Sequence, residues 1–247
     1  MRIQRAAIAA AVLLAACAVP PPPASEPVEP SAWLTFGESV DGRPLRMRTI
    51  GSGPRAVVWI GGIHGNETEG MVATDALPAA FAAMPGLAER VTLTIVEDVN
   101  PDGRASGTRG NARGVDLNRI YPSRNYAPSR TNGPEALSEP EARALHRLLA
   151  SIEPDLVMVA HSWSNRDKAP FVNFDGPAAG LAERFGQLAG YPVVASDDIH
   201  GTPGSLGSLV GIDWQVPILT IEWERGADPD LCWAETRAAI LAVIAGE

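Results

Sequence analysis

Residues 56–60 read Ala-Val-Val-Trp-Ile, an unbroken apolar run closed by Gly61 and Gly62. A strand with one wet face alternates apolar and polar residues. A short run without alternation is a strand covered on both sides, which requires a sheet with helices packed on each face. Further runs of strand type lie at 91–96, 156–160, 171–174, 192–195 and 218–223. Between and after them come helix-spaced stretches at 69–84, 178–188 and 231–244. Ser138 precedes Glu141 by three residues, the spacing of a capping box, and is expected to open another helix. Residues 33–35 and 45–50 flank Asp41-Gly42 and read as an opening hairpin. The chain is therefore expected to form one α/β domain, a central mixed and mostly parallel sheet with helices on both faces. Its 247 residues, 45% of them hydrophobic, suffice for one buried core. Its two cysteines, Cys17 and Cys232, are too few for a disulfide framework, and Cys232 reads as a buried structural thiol in the last helix.

The first residues have a different character. Arg2 and Arg5 precede an apolar run from 6 to 16, the charged and hydrophobic regions of a secretory leader and too short to span a bilayer. Leu14-Ala15-Ala16-Cys17 resembles the lipobox of bacterial lipoproteins, in which the cysteine becomes the lipidated N-terminus. Residues 17–31 carry six prolines at 20–23, 27 and 30, an extended tether that cannot pack. The expected organisation is a leader at 1–16, a lipidated Cys17 with its tether to 31, and a folded domain over 32–247. That places the domain in the bacterial cell envelope, membrane-attached through Cys17 and facing the periplasm. A net charge of -9 argues against a nucleic-acid partner, which needs a basic face.

In open α/β sheets, ligands gather beyond the carboxyl ends of the strands. The chemically conspicuous residues fall there. Gly61-Gly62-Ile63-His64-Gly65-Asn66-Glu67 follows the first buried strand, His161-Ser162-Trp163-Ser164 follows the central one, and Thr220-Ile221-Glu222 lies in the last. A histidine and a carboxylate three residues apart on a glycine-flanked turn can aim at one point. A second histidine from another strand end completes three ligands with an open position, as catalytic zinc requires. His-x-x-Glu alone is a weak signal, since a polar loop histidine or one satisfied by backbone has the same look. Residues 100–136 are polar, rich in Gly, Arg and Asn and without sustained period, so they read as a long loop of the kind that carries function. His146, on a helix, reads as surface.

Taken in order, Gly62-Ile63-His64-Gly65-Asn66-Glu67, Asn100-Pro101-Asp102-Gly103, Gly114-Val115-Asp116-Leu117-Asn118-Arg119, His161-Ser162-Trp163-Ser164 and Thr220-Ile221-Glu222 form a recognisable set. The set resembles the zinc metallocarboxypeptidases of the carboxypeptidase A type, and in its short length their compact bacterial branch, the murein peptide amidases. The resemblance implies one zinc ion held by His64, Glu67 and His161. It implies Glu222 as the general base that takes a proton from water and returns it to the leaving amine. Glu224, two residues on along the same face, competes for that role, and the Thr-x-Glu match favours Glu222. Arg109 is similar in placement to the arginine that stabilises the oxyanion, with Arg104 and Arg113 as neighbours. Asn118 and Arg119 match the pair that grips a substrate's terminal carboxylate, and Asp116 the carboxylate that orients a zinc histidine.

The implied reaction is hydrolysis of an amide next to a free carboxylate, in cell-wall peptides such as at the γ-D-glutamyl-diaminopimelate bond. The alternatives are a general carboxypeptidase on periplasmic peptides, an N-acyl amino acid deacylase, and a non-catalytic binding lipoprotein. The last would have no need of Glu222. Two departures stand out. Ile120 follows Asn118-Arg119 where these enzymes usually have asparagine, and with the opening His64-Gly65-Asn66-Glu67-Thr68 this also resembles the succinylglutamate desuccinylase and aspartoacylase group. No tyrosine follows Tyr191 to cap the substrate. The glycine-rich segment 201–208 is expected to shape the side-chain pocket and offers no charge of its own.

Overall fold

The structure is a computed structural model that describes residues 29–164, 170–196 and 202–247. The leader, Cys17, most of the proline tether and His200, which stands in the tyrosine-free stretch after Tyr191, lie outside the described residues. Eight strands form one sheet: β1 (Leu34–Glu38), β2 (Pro44–Ile50), β3 (Arg55–Ile60), β4 (Val91–Val96), β5 (Leu156–Trp163), β6 (Phe171–Asp175), β7 (Val193–Ala195) and β8 (Ile218–Glu224). Their spatial order is β1-β2-β4-β3-β5-β8-β6-β7. The β4-β3-β5-β8 centre is parallel, as is β6-β7, whereas β1-β2, β2-β4 and β6-β8 are antiparallel. The expected mixed and mostly parallel sheet is what forms.

The apolar run of β3 splits its side chains between two cores, as a doubly covered strand must. Val57 and Trp59 pack with α1 (Met71–Ala82), α4 (Ala179–Ala189) and α5 (Pro229–Ala245). Val58 and Ile60 point the other way, into a layer made by α3 (Pro140–Ile152), Leu117, Ile120, Tyr121, Leu206, Leu209 and Val210. Cys232 is buried among the first set, and burial pushes its thiol up to about 11, so it is inert as expected. Among the described residues no helix is long and apolar enough to cross a membrane.

Three local expectations are corrected. The capping box at Ser138 does not form. Proline locks φ and favours the first helical position, so α3 begins at Pro140 with Glu139 extended before it. Glu141 reaches away instead, accepting from Val40 N at 3.0 Å and Asn111 Nδ2 at 3.2 Å. Within the long loop, α2 (Pro101–Ser106) forms despite its glycine, because Asn100 caps it and Gly107 closes it in the left-handed conformation. Gly207 and Ser208, expected within the glycine-rich loop 201–208, instead open a π-helical segment, Gly207–Asp213. His146 is partly buried, its ring 5.6 Å from that of Trp214.

Asn100 does more than cap. Fully buried, it accepts from Gly103 N at 2.9 Å and donates to Ile63 O at 3.3 Å and Arg109 O at 3.1 Å. One amide thus stitches the turn after β3 to the long loop. Asn100→Ala is expected to lower the unfolding free energy in urea titration by about 2–3 kcal/mol, because it leaves buried backbone groups without partners.

Candidate active site

The turn after β3 exists because two glycines permit it. Gly62 has φ +65°, and a Cβ there would lie 2.2 Å from Asp98 Oδ1. Gly65 lies against α2, where a Cβ would be 2.0 Å from Gly103 C. Glu67 N donates to His64 O at 3.1 Å, closing the turn with both side chains directed at β5. There His161 waits. β5 and β8 run further than their apolar cores predict, so His161 lies inside the paired region directly beside Glu222.

Glu67, His64 and His161 are buried, and one donor atom from each lies within 4.8 Å of the others. Glu67 Oε2 accepts from Ser162 N at 3.0 Å and sits 2.8 Å from His161 Nδ1. Its Oε1 lies 2.9 Å from His64 Nδ1, 2.9 Å from Arg109 Nη1 and 3.1 Å from Arg225 Nη2. Burial alone would raise this carboxyl, but the two histidines outweigh it and hold Glu67 well below the usual carboxylate range. Asp116 binds the far side of His64, Oδ1 to Nε2 at 2.9 Å, and is itself held low against the cost of burial by that histidine and the nearby arginines.

The set fits a metal ion. His64 Nδ1, although close to Glu67, is out of line for a hydrogen bond and is an orphaned buried ring nitrogen. Asp116 pins the opposite nitrogen, which fixes the ring and its basicity as outer carboxylates do around metal histidines. Two imidazoles and one carboxylate are a zinc donor set, and a cleft opens beside them.

Glu222, Arg109, Asn118 and Arg119 line that cleft. Glu224 is exposed at the strand's end and outside it, so the two glutamates are distinguished by position. Burial and the neighbouring Glu67 raise the Glu222 carboxyl from 4.5 to about 7, against the pull of His161 and the two arginines. The three arginines also separate. Arg104 pairs with Asp98, and Arg113 with Glu139 at 3.3 Å. Arg109 alone of the three enters the cleft, its Nε on Asp116 Oδ2 at 2.9 Å. Asn118 donates toward His161 Nε2 at 3.2 Å and accepts from Leu206 N at 2.9 Å, so its amide is held between β5 and the 202–206 segment.

Two groups went unnoticed in the sequence. Arg225 grips Glu67 while donating to Ser162 Oγ at 2.8 Å, and only the register of β5 and β8 makes that contact legible. Asp175 brings a carboxylate into the cleft from β6, where the 201–208 segment has none.

A buried His-Glu-His set with an open side, next to a cleft carboxyl, is the arrangement of a one-metal hydrolase. The chain belongs to the zinc carboxypeptidase family, whose profile matches residues 29–174. Murein peptide amidase A of Vibrio campbellii is 31% identical over 208 residues, 76% of this chain and 77% of that protein. Gamma-D-glutamyl-L-diamino acid endopeptidase 1 of Lysinibacillus sphaericus is 26% identical over 243 residues, 78% of this chain and 61% of that protein. The crystal structure of murein-tripeptide amidase from Escherichia coli O157 superposes with a TM-score of 0.66 at 27% identity, covering 91% of this chain and 96% of the other.

The raised Glu222 has a stability signature in the metal-free protein. Its folded value exceeds the unfolded 4.5, so the folded state holds the proton longer and loses stability as pH rises from 4.5 to about 7. Between pH 4 and pH 8, Glu222→Gln is expected to gain about 2–3 kcal/mol relative to metal-free wild type in urea titrations.

Proposed function

We propose that this zinc hydrolase is a murein-peptide amidase that cuts an amide next to a free carboxylate, with the γ-D-glutamyl-diaminopimelate bond as its target. The observation that carries the reading is the placement of Glu222 in the cleft beside the His-Glu-His set. The names of the amidase relatives support the substrate class.

His64, Glu67 and His161 would hold the zinc ion, which would supply Lewis acidity to a carbonyl and to water. The chain's own groups do the rest. Glu222, in the cleft beside His161, takes the proton from the attacking water and returns it to the leaving amine. Arg109, fixed by Asp116 and Glu67, keeps further N–H donors for the oxyanion that develops on the carbonyl. Arg119 lines the cleft with its Nη1 anchored on Asn118 O at 2.7 Å, and its planar fork suits a substrate carboxylate. Asn118 sets the adjoining wall. Asp116 and Arg225 hold the first-named ligands in place.

Muropeptide digests treated with the zinc-loaded protein should lose the γ-D-glutamyl-diaminopimelate linkage by mass spectrometry. Chelation should abolish the cleavage and zinc restore it. Glu222→Gln should retain one metal ion per chain and lose at least about a thousandfold in kcat, since base and acid are removed together. Cleavage of ordinary peptides alone would instead make it a general carboxypeptidase.

The same proposal places the protein in the bacterial envelope, anchored through lipid on Cys17 with the proline tether holding the domain clear of the membrane and in the periplasm. It is supported by the leader's basic and apolar regions and by Leu14-Ala15-Ala16-Cys17. Radiolabelled fatty acid should enter the wild type and not Cys17→Ser.

A further inference from the structure

Glu69 is a second buried acid in the connection from β3 to α1, two residues after Glu67 and only 4% exposed. It lies outside the cleft, and no step of the hydrolysis uses it. Its Oε1 accepts from Gly226 N at 2.7 Å, a contact between residues 157 apart in the chain. Its Oε2 is buried with no hydrogen-bond partner among the described residues. Burying a carboxyl with one oxygen unanswered is unfavourable, so the fold bears that cost for the single contact to Gly226.

That contact lies in the turn that ends β8. The turn is fixed at three points: Arg225 N donates to Trp163 O at 3.0 Å, Ala227 N to Glu224 O at 3.0 Å, and Gly226 N to Glu69. Gly226, at φ +84°, supplies the reversal, and its wide conformational freedom is what the Glu69 bond removes. From this turn the Arg225 side chain reaches back to the metal set, Nε on Ser162 Oγ at 2.8 Å and Nη2 at 3.1 Å from Glu67 Oε1. The route closes on itself. Glu69 holds Gly226, the residue beside Gly226 holds Glu67, and Glu67 stands two residues from Glu69.

The orientation of the Glu67 carboxylate depends on where its two guanidinium partners stand. Arg109 is fixed separately, by Asp116. Arg225 is a long side chain, 28% exposed, and the turn sets where it starts. We propose that Glu69 is a positioning residue for the metal centre. Through Gly226 and Arg225 it fixes the Glu67 carboxylate, and with it the affinity of the site for zinc. Gly226 requires an acceptor oxygen and not a charge, so glutamine serves at position 69 and an apolar side chain does not. The inference concerns the metal site and is independent of which amide is cut.

Two measurements test it: zinc affinity by competition with a chromophoric chelator, and the visible spectrum of the cobalt(II)-substituted protein, which reports ligand geometry. Glu69→Met keeps the volume and removes the acceptor. Glu69→Met and Arg225→Met should each weaken zinc binding by about tenfold or more and shift the cobalt bands. Glu69→Gln should bind zinc within about threefold of wild type and leave the bands in place, the loss in Glu69→Met being far larger. The double variant Glu69→Met/Arg225→Met should be no weaker than Arg225→Met alone, because Glu69 acts through that arginine. A dissociation constant counts folded protein only, so a stability loss does not imitate the effect. Additive losses in the double variant overturn the proposal, as does a Glu69→Gln as weak as Glu69→Met, which would put the charge and not the turn at work. Arg225 is partly exposed, so Arg225→Met folds whatever becomes of the Glu69 variants. Zinc binding that is unchanged or tighter in Arg225→Met overturns the proposal by itself.

Discussion

Burying a carboxylate costs several kcal/mol unless charges and donors surround it, and Glu67 is surrounded on every side. Two histidines, two arginines and the backbone N–H of Ser162 converge on its two oxygens. Those partners come from the turn after β3, the long loop, β5 and the end of β8. The same five contacts that keep the charge in place therefore align the four chain segments that make the site. Remove the carboxylate and the positive groups around it repel one another. Supply a divalent cation and it enters a place already prepared for positive charge.

How far this was legible in the sequence depended on the range of each interaction. The doubly covered strands declared themselves, because burial on both faces leaves a local imprint on consecutive residues. His64 and Glu67 share one turn, so their spacing carried information, and the ordered motifs extended it to His161, Glu222, Arg109, Asn118 and Arg119. Ser138 shows the limit of such signals, since its favourable spacing with Glu141 lost to the stiffer constraint of Pro140. The short helix after Asn100 hid in a segment whose composition opposes helices, because its stability comes from a buried cap and not from propensity. Arg225 and Asp175 were illegible for another reason. Each reaches its place only through strand pairing, Arg225 beside β5 and Asp175 in the cleft beside β8, and nothing within several residues of either marks that place.

The polarity of the sheet also explains where the cleft opens. β5 and β8 run parallel and bring His161 and Glu222 side by side at their carboxyl ends. β6 then runs back against β8, so its own end lies at the opposite level. An ordinary parallel strand there would have delivered Asp175 to the metal end. The reversal separates two acidic groups along one surface and turns a point-like centre into an elongated site.

The two cores on either side of the sheet are not equivalent in kind. The back layer is made by three helices, whereas the front layer draws Leu117, Ile120, Tyr121, Leu206, Leu209 and Val210 from the very segments that border the cleft. The walls of the substrate site are thus part of the hydrophobic interior. In an enzyme whose recognition loops hang free, selection can alter them at little risk to the scaffold. Here a change of substrate preference must also repack a core, so drift in specificity is coupled to folding stability and is expected to proceed through compensated pairs of substitutions.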